Sequence, residues 1–267
     1  MIIPTRNSAK TLPSCLESLL KQTYSPLEII VVDNYSSDDT RKIAMEYSAK
    51  ILLKGHERSA QVNHGASHAK GRYVYRVDSD VILEPDVVTQ AVAVCELHGY
   101  HGAIIRIVSD PTVSLWSQVR FFERGKLYEY DTNVAVRFVR KDVFADLGGF
   151  DDNLVAFEDY DFHNRFVLAG YQYGRIRSKE RHLGEPKTLA EITRKHYYYG
   201  KYIRAFLRKN WRNASSRVMK QLAPTRRAHI DNFRLLFKDP KVFTAFFVYQ
   251  IVRYFASFLG LLGSYVR

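Results

Sequence analysis

The sequence predicts an α/β protein, in which a mostly parallel sheet flanked by helices is followed by a helical extension. Three observations carry that expectation. Strand-like and helix-like segments alternate through the first hundred or so residues. The strand-like segments include near-continuous β-branched runs of the kind that are buried on both faces. Beyond Pro186 the alternation gives way to basic and aromatic sequence and then to a long apolar run. A chain of 267 residues that is 46% apolar can bury one sizeable core and leave about 80 residues for an appendage.

Taken in order, Ile2-Ile3 reads as the end of a strand and residues 12–22 as a helix. Residues 27–32 form a β-branched run, and residues 36–48 a helix entered through Ser37 or Asp38 as N-cap. Residues 49–53 suit a short strand, 59–69 a helix, 73–77 a strand and 85–98 a helix. This β-α-β-α-β-α-β order argues for a parallel sheet with helices on its faces. Residues 103–108 and 133–140 look like later strands, and Gly148-Gly149 breaks the chain before an acidic segment ending near Arg165. Ligands of such sheets bind beyond the carboxyl ends of the strands. Asp33 and Asp78 fall at two of those ends.

The net charge of +12 is unevenly distributed. Residues 1–185 carry 23 Lys/Arg against 25 Asp/Glu, whereas residues 186–267 carry 17 against 3, a net +14. We therefore divide the chain into a near-neutral catalytic domain, 1–185, and a basic extension, 186–267. Cys15 and Cys95 lie in helical stretches and suit buried free thiols in a reducing compartment. No basic n-region or apolar h-region opens the sequence, so the active part is expected on the cytoplasmic side. Phosphate-binding Gly-x-x-x-x-Gly-Lys, dinucleotide-binding Gly-x-Gly-x-x-Gly and hydrolase Gly-x-Ser-x-Gly patterns are all missing.

Two acidic constellations carry the chemistry. Asp78-Ser79-Asp80 follows a strand, and an Asp-x-Asp turn supplies the oxygens with which Mn²⁺ or Mg²⁺ is commonly held together with substrate phosphates. Taken alone it is equally an ordinary turn. Glu158-Asp159 with Asp161 forms the second centre. A carboxylate within reach of an acceptor hydroxyl can take its proton as the oxygen attacks, and the same acids would also suit a solvated helix start.

The order and spacing of Pro4-Thr5-Arg6-Asn7, Val31-Val32-Asp33-Asn34, Arg58 with Asn63, Val77-Asp78-Ser79-Asp80, Phe150-Asp151 and Phe157-Glu158-Asp159-Tyr160-Asp161 closely resemble the family 2 glycosyltransferases of the GT-A fold. The resemblance covers about residues 1–185. It implies a Rossmann-like nucleotide-binding half with a mixed, mostly parallel sheet, and transfer of a sugar from a nucleotide-sugar, UDP- or GDP-linked, with inversion. Pro4, Thr5, Asn7, Asp33, Arg58, Asp78, Ser79 and Asp80 would hold the donor, with Thr5 and Asp33 at the base and Arg58 near the base or diphosphate. Asp80, Asp78 and His182 would serve the metal, Asp159 would be the base, and Glu158 and Asp161 would meet the acceptor. Asn34 departs from the Asp of many relatives, which leaves Asp33 as the base contact. The Gln-x-x-Arg-Trp motif of processive synthases is missing, which favours transfer of one sugar.

Clustered Lys/Arg with aromatics can bind nucleic acid or an anionic bilayer, where aromatics sit at the interface. The apolar run 242–266 decides for the membrane. Arg253 stands near its middle, at a cost of about 2.5–3.5 kcal/mol on insertion scales. A helix lying in the cytoplasmic leaflet is therefore preferred over a transmembrane one, with a core helix packed on the catalytic domain as the third possibility. Membrane attachment suits a lipid-linked sugar or other glycan acceptor. A polyprenyl (dolichyl) phosphate sugar synthase, or a non-catalytic module binding membrane or nucleic acid, are the alternatives. Oligomeric state is not legible.

Overall fold

The computed structural model describes residues 1–55, 57–127, 135–222 and 233–265. The chain divides into two compact units, Met1–Ile107 with Ala135–Arg181, and Val108–Val134 with His182–Arg267. Residues 108–127 fall in the second of these units.

The first unit opens as the sequence predicts. Strand β1 (Ile2–Thr5), helix α1 (Leu12–Leu20), β2 (Ile30–Asp33), α2 (Thr40–Glu46), β3 (Lys50–Leu53) and α3 (Arg58–His68) follow one another. The three strands pair in parallel, with Thr5 beside Asp33 and Asp33 beside Leu53. Burial explains the strands. Every residue of β1 and β2 is buried, and such segments are stable only with a partner on each side and cover on each face. Helix α1 supplies part of that cover with Leu12, Cys15, Leu16 and Leu19, all part of the main core. Helix α3 comes in at Gly65, where a Cβ would stand 2.5 Å from Ile2. Only glycine permits that approach.

Beyond α3 the pairing is no longer parallel throughout. Strands β4 (Tyr73–Tyr75), β5 (Val81–Leu83), β6 (Gly102–Ser109), β7 (Phe138–Arg140) and β8 (Tyr173–His182) form a five-stranded sheet in the order β4-β7-β6-β8-β5. The β4–β7 and β6–β7 pairs are antiparallel, and a parallel bridge from Ile2 to Arg76 joins this sheet to the first. The sheet is therefore mixed, as the GT-A resemblance implies. Helices α4 (Val87–His98), α6 (Lys141–Asp146) and α7 (Glu158–Leu168) complete the unit. Predicted strand 133–140 shortens to β7, and its first two positions lie outside the described residues. Helix α2 starts at Thr40, four residues later than predicted. Asp38 still satisfies the Thr40 amide at 3.1 Å.

The second unit contains α5 (Leu115–Phe122), a π-helical turn (Glu123–Leu127), α8 (Leu189–Leu222), a 3-10 turn (Phe233–Lys238) and α9 (Pro240–Gly263). Ser114 and Ser117 form a reciprocal capping box on α5, and Asp239 caps α9 through the amides of Lys241 and Val242. Helices α8 and α9 touch backbone to backbone. A Cβ at Gly200 would stand 2.2 Å from the Ser257 carbonyl oxygen, and one at Gly260 2.1 Å from that of Tyr197. Val119, Ile192, Ala245, Phe246 and Tyr249 form the small core between α5, α8 and α9. Arg253 does not face lipid: its Nη1 lies 3.2 Å from the buried carboxylate of Glu123. Burial, followed by the nearby Arg253 and Arg120 guanidiniums, pushes the His196 imidazolium down to about 2.

That depressed value has a consequence for stability. An unfolded histidine titrates near about 6.5, so below that pH the unfolded chain binds a proton that folded His196 refuses. Stability is fully present above the unfolded value and falls on acidification, by about 2 kcal/mol at pH 5. Denaturant titrations of the wild type and His196→Asn at pH 7.5 and pH 5 should show the wild type losing that much more. Equal losses would mean that His196 is not held neutral.

Candidate active site

The site is built at the carboxyl ends of β1, β2 and β4 and at the start of α7. Asp33 ends β2 fully buried. Its Oδ2 accepts from the Thr5 hydroxyl at 3.0 Å, and its Oδ1 from the Ser36 amide at 2.9 Å. Gln61 on α3 donates to the Thr5 carbonyl at 2.9 Å. Thr5 and Asp33, expected at the nucleotide base, are thus turned to one another. Pro4 is buried within β1. Asn7, at a left-handed φ of 52°, ties the loops after β1 and β2. Its amide N–H donates to the Ser36 hydroxyl at 2.8 Å, and its Oδ1 accepts from the Ser37 amide at 2.9 Å. Ser79 reaches the same loop through the Ser8 hydroxyl, 2.9 Å away.

Arginines organise the two acidic motifs. Arg76, in the short connection between β4 and the Asp78 turn, lies 3.2 Å from Asp78 Oδ1 and 3.0 Å from Glu158 Oε1. Arg58, at the start of α3, lies 2.6 Å from the same Glu158 oxygen and 3.9 Å from Asp78 Oδ1. Arg137, just ahead of β7, holds Asp78 Oδ2 at 2.8 Å and Glu180 Oε2 at 2.8 Å. Glu180 on β8 is fully buried and also accepts the Tyr75 hydroxyl proton. Burial pushes the Glu180 carboxyl upward against the pull of Arg137. Asp78, Glu158 and Glu180 are thereby matched by Arg58, Arg76 and Arg137, as buried charges require.

This network assigns places to the predicted residues. Both oxygens of Asp78 are taken up by guanidiniums, which hold the turn in place. Glu158 is 1% exposed with one oxygen shared by two arginines, and its Oε2 has no hydrogen-bond partner among the described residues. Asp80 and Asp159 are half-buried. Asp159 sits in the first turn of α7, where Oδ1 accepts the Tyr160 amide at 2.8 Å. Asp161, expected at the acceptor, is instead fully buried and paired with Arg165 at 2.9 Å. Arg165 in turn donates to the Gly149 carbonyl at 2.8 Å, so Asp161 braces the double-glycine turn.

Asn63 braces the other side of that turn. It donates to the Phe150 carbonyl at 2.8 Å and accepts the Phe150 amide at 2.9 Å. Gly149 has φ 68° and leaves no room for a Cβ beside Asn63. His182 lies in the second unit, where Nδ1 is 3.2 Å from Glu185 Oε1. Glu185 also takes Arg124 at 2.8 Å and Ser109 at 2.6 Å, and that arginine-rich setting lends a metal role for His182 no support. Among the described residues no three His, Cys, Asp or Glu side chains gather as a metal site.

Arg76, Arg137, Glu180 and Tyr75 were not singled out by sequence. Arg76 and Arg137 each stand in an apolar strand-like run, and a charge in such a run is the signal that could have found them.

The fold is that of GT-A enzymes. A mannosyltransferase of Pyrobaculum calidifontis, solved in complex with GDP-Man and Mn²⁺, superposes with a TM-score of 0.64 at 16% identity over 98% of this chain and 86% of that one. TarS 1-349 of S. aureus, solved in complex with UDP-GlcNAc, gives a TM-score of 0.58 at 18% identity over 91% of this chain and 78% of that one. Glycosyltransferase AglE of Haloferax volcanii is 27% identical over 187 residues, 64% of this chain and 62% of AglE. Two further relatives are matched over only 40% and 32% of their length. Residues 1–150 match the family described as Glycosyl transferase family 2, and the chain belongs to that family.

Proposed function

We propose that the chain transfers a single sugar, with inversion, from a UDP- or GDP-linked donor to a hydroxyl of a lipid-linked sugar or other glycan at the cytoplasmic face of a membrane. One observation carries the reading: Arg58 and Arg76 each contact carboxylates of both acidic motifs. The donor-side turn and the base-bearing helix are therefore parts of one site.

In this reading Thr5 and Asp33 lie under the nucleotide base, one Ser36 or Thr5 bond giving way to it. Asn7 and Ser79 shape the loops over the donor, and Arg58, 36% exposed, faces the diphosphate. Asp80 is the protein ligand for Mn²⁺ or Mg²⁺; its hard carboxylate oxygen, combined with diphosphate oxygens, is a donor set these ions accept. Once bound, such an ion offsets charge building on the departing nucleoside diphosphate. Asp159 takes the acceptor proton. The unpartnered Glu158 Oε2 accepts from a sugar hydroxyl. The lipid-linked acceptor rests on the C-terminal part: α9 is, among the described residues, the one helix long and apolar enough to cross a membrane, and residues 186–267 are strongly basic.

Thermal unfolding with a panel of UDP-, GDP- and dTDP-sugars, with and without Mn²⁺, tests the donor half. A sugar nucleotide bound only by the folded state raises stability by about 2.7 kcal/mol at a hundred times its Kd. One donor class is expected to do so and to depend on Mn²⁺. No shift with any of them would overturn the proposal.

A further inference from the structure

We propose that α9 lies in the plane of an anionic bilayer surface, set in along one stripe, and does not cross it. This rests on the membrane part of the function proposed above and specifies how the contact is made. Phe247, Ile251, Phe255, Phe258 and Leu262 are 40%, 69%, 62%, 54% and 47% exposed. Their spacings of four, four, three and four place them within an arc of about 80° at 100° per residue. They run for about 22 Å along the helix. The opposite face is already used: Ala245, Phe246, Tyr249, Ala256 and Gly260 are buried. A continuous apolar strip of this size marks an interaction surface.

Three further observations choose the occupant and its geometry. Arg253 points into the protein, onto buried Glu123 at 3.2 Å, so the one charge within the apolar run is satisfied without reaching for lipid headgroups. A spanning helix would have to carry that ion pair, and α8 packed along it, into the hydrocarbon. At its C-terminal end the stripe is edged by cation–aromatic pairs: Lys201 Nζ lies 4.8 Å from the centre of the Tyr197 ring, and the Arg204 guanidinium 4.2 Å from that of Tyr265. Tyrosine and long basic side chains are suited to the headgroup layer. Residues 186–267 carry 17 Lys/Arg against 3 Asp/Glu, which attracts an anionic leaflet and repels a second copy of the same surface. One immersed face beside a basic flank is the design of a helix that lies on a membrane.

Flotation of the full chain with phosphatidylcholine vesicles, with and without phosphatidylglycerol, tests this. Binding to the anionic vesicles is expected, at least about tenfold tighter than to the neutral ones, and alkaline carbonate should release it. Ile251→Glu with Phe255→Glu should lower binding about tenfold or more while the donor-induced thermal shift is kept. Lys201→Gln with Arg204→Gln should narrow the difference between the two vesicle types. Carbonate-resistant binding would mean spanning and overturn the proposal. So would a dimer in solution that the stripe variant dissociates, in a protein that does not float. If the wild type floats and the stripe variant floats equally, the stripe is wrong and the membrane reading stands. If neither floats, both fail. No nucleotide sugar enters the flotation measurements themselves, so membrane binding and the transferase reading can fail separately.

Discussion

Asp159→Asn is expected to bind donor like the wild type and to lose transfer by about 10²- to 10⁴-fold, the usual worth of a positioned general base. Asn has the same shape and can still accept the Tyr160 amide, so the first turn of α7 keeps its geometry, but it cannot take a proton. The choice of Asp159 over its neighbour follows from burial and charge. Glu158 is 1% exposed, and its Oε1 lies 2.6 Å from Arg58 and 3.0 Å from Arg76. Two guanidiniums occupy that oxygen, and burial keeps it from an acceptor hydroxyl. One residue further on, the helix turns Asp159 out of that network into a half-buried position. Asp80→Ala should give the opposite pattern: the Mn²⁺-dependent thermal shift with donor disappears, and transfer disappears with it. Steady-state transfer and thermal shift measured on both variants separate base from donor site. An Asp159→Asn enzyme turning over at the wild-type rate would remove Asp159 from the mechanism.

The parts of the molecule legible in the sequence are those governed by local patterning. The runs ending at Val32 and Val77 announce strands because their β-branched residues tolerate burial on both faces, and the acids placed just beyond them follow from topology. Pairing direction is not local. A short apolar run reads the same in a parallel or an antiparallel ladder, so β4–β7–β6 had to be seen. Charge pairing is not local either. Arg76 meets Glu158 82 residues away, and Arg253 meets Glu123 130 residues away. Spacing in the chain carries no trace of such contacts. Arg253 was therefore read as a cost of membrane insertion, although its partner sits in the π-helical turn after α5. Asp161 shows the converse case: three acids in one helical turn look alike in sequence, but the turn of the helix buries Glu158 and Asp161 and leaves Asp159 half-buried.

Arg137→Met should destabilise the fold by about 3–5 kcal/mol, the cost of breaking a buried ion pair from one side, and should weaken donor binding or transfer about 10- to 100-fold through Asp78, as loss of a supporting residue commonly does. Methionine fills much of the volume, so the loss reports charge. With the guanidinium gone, Glu180 is a fully buried carboxylate left with the Tyr75 hydroxyl, and Asp78 loses the 2.8 Å contact at Oδ2. Glu180 already has its pKa raised by burial. A carboxyl raised on folding contributes stability that is present below its unfolded value and is lost as pH rises through the folded one. Without Arg137 that folded value climbs further, so the variant's penalty should be smallest in acid and grow towards neutral pH. Adding Glu180→Gln removes the orphaned charge and should return about 0.5–3 kcal/mol of coupling energy in a double-mutant cycle. It cannot return the support of Asp78, so the double variant should regain stability without regaining donor affinity. Denaturant midpoints across pH, set beside the donor-induced thermal shift, separate the two roles. Recovery of both together would mean that Arg137 acts on the donor site only by keeping the sheet folded.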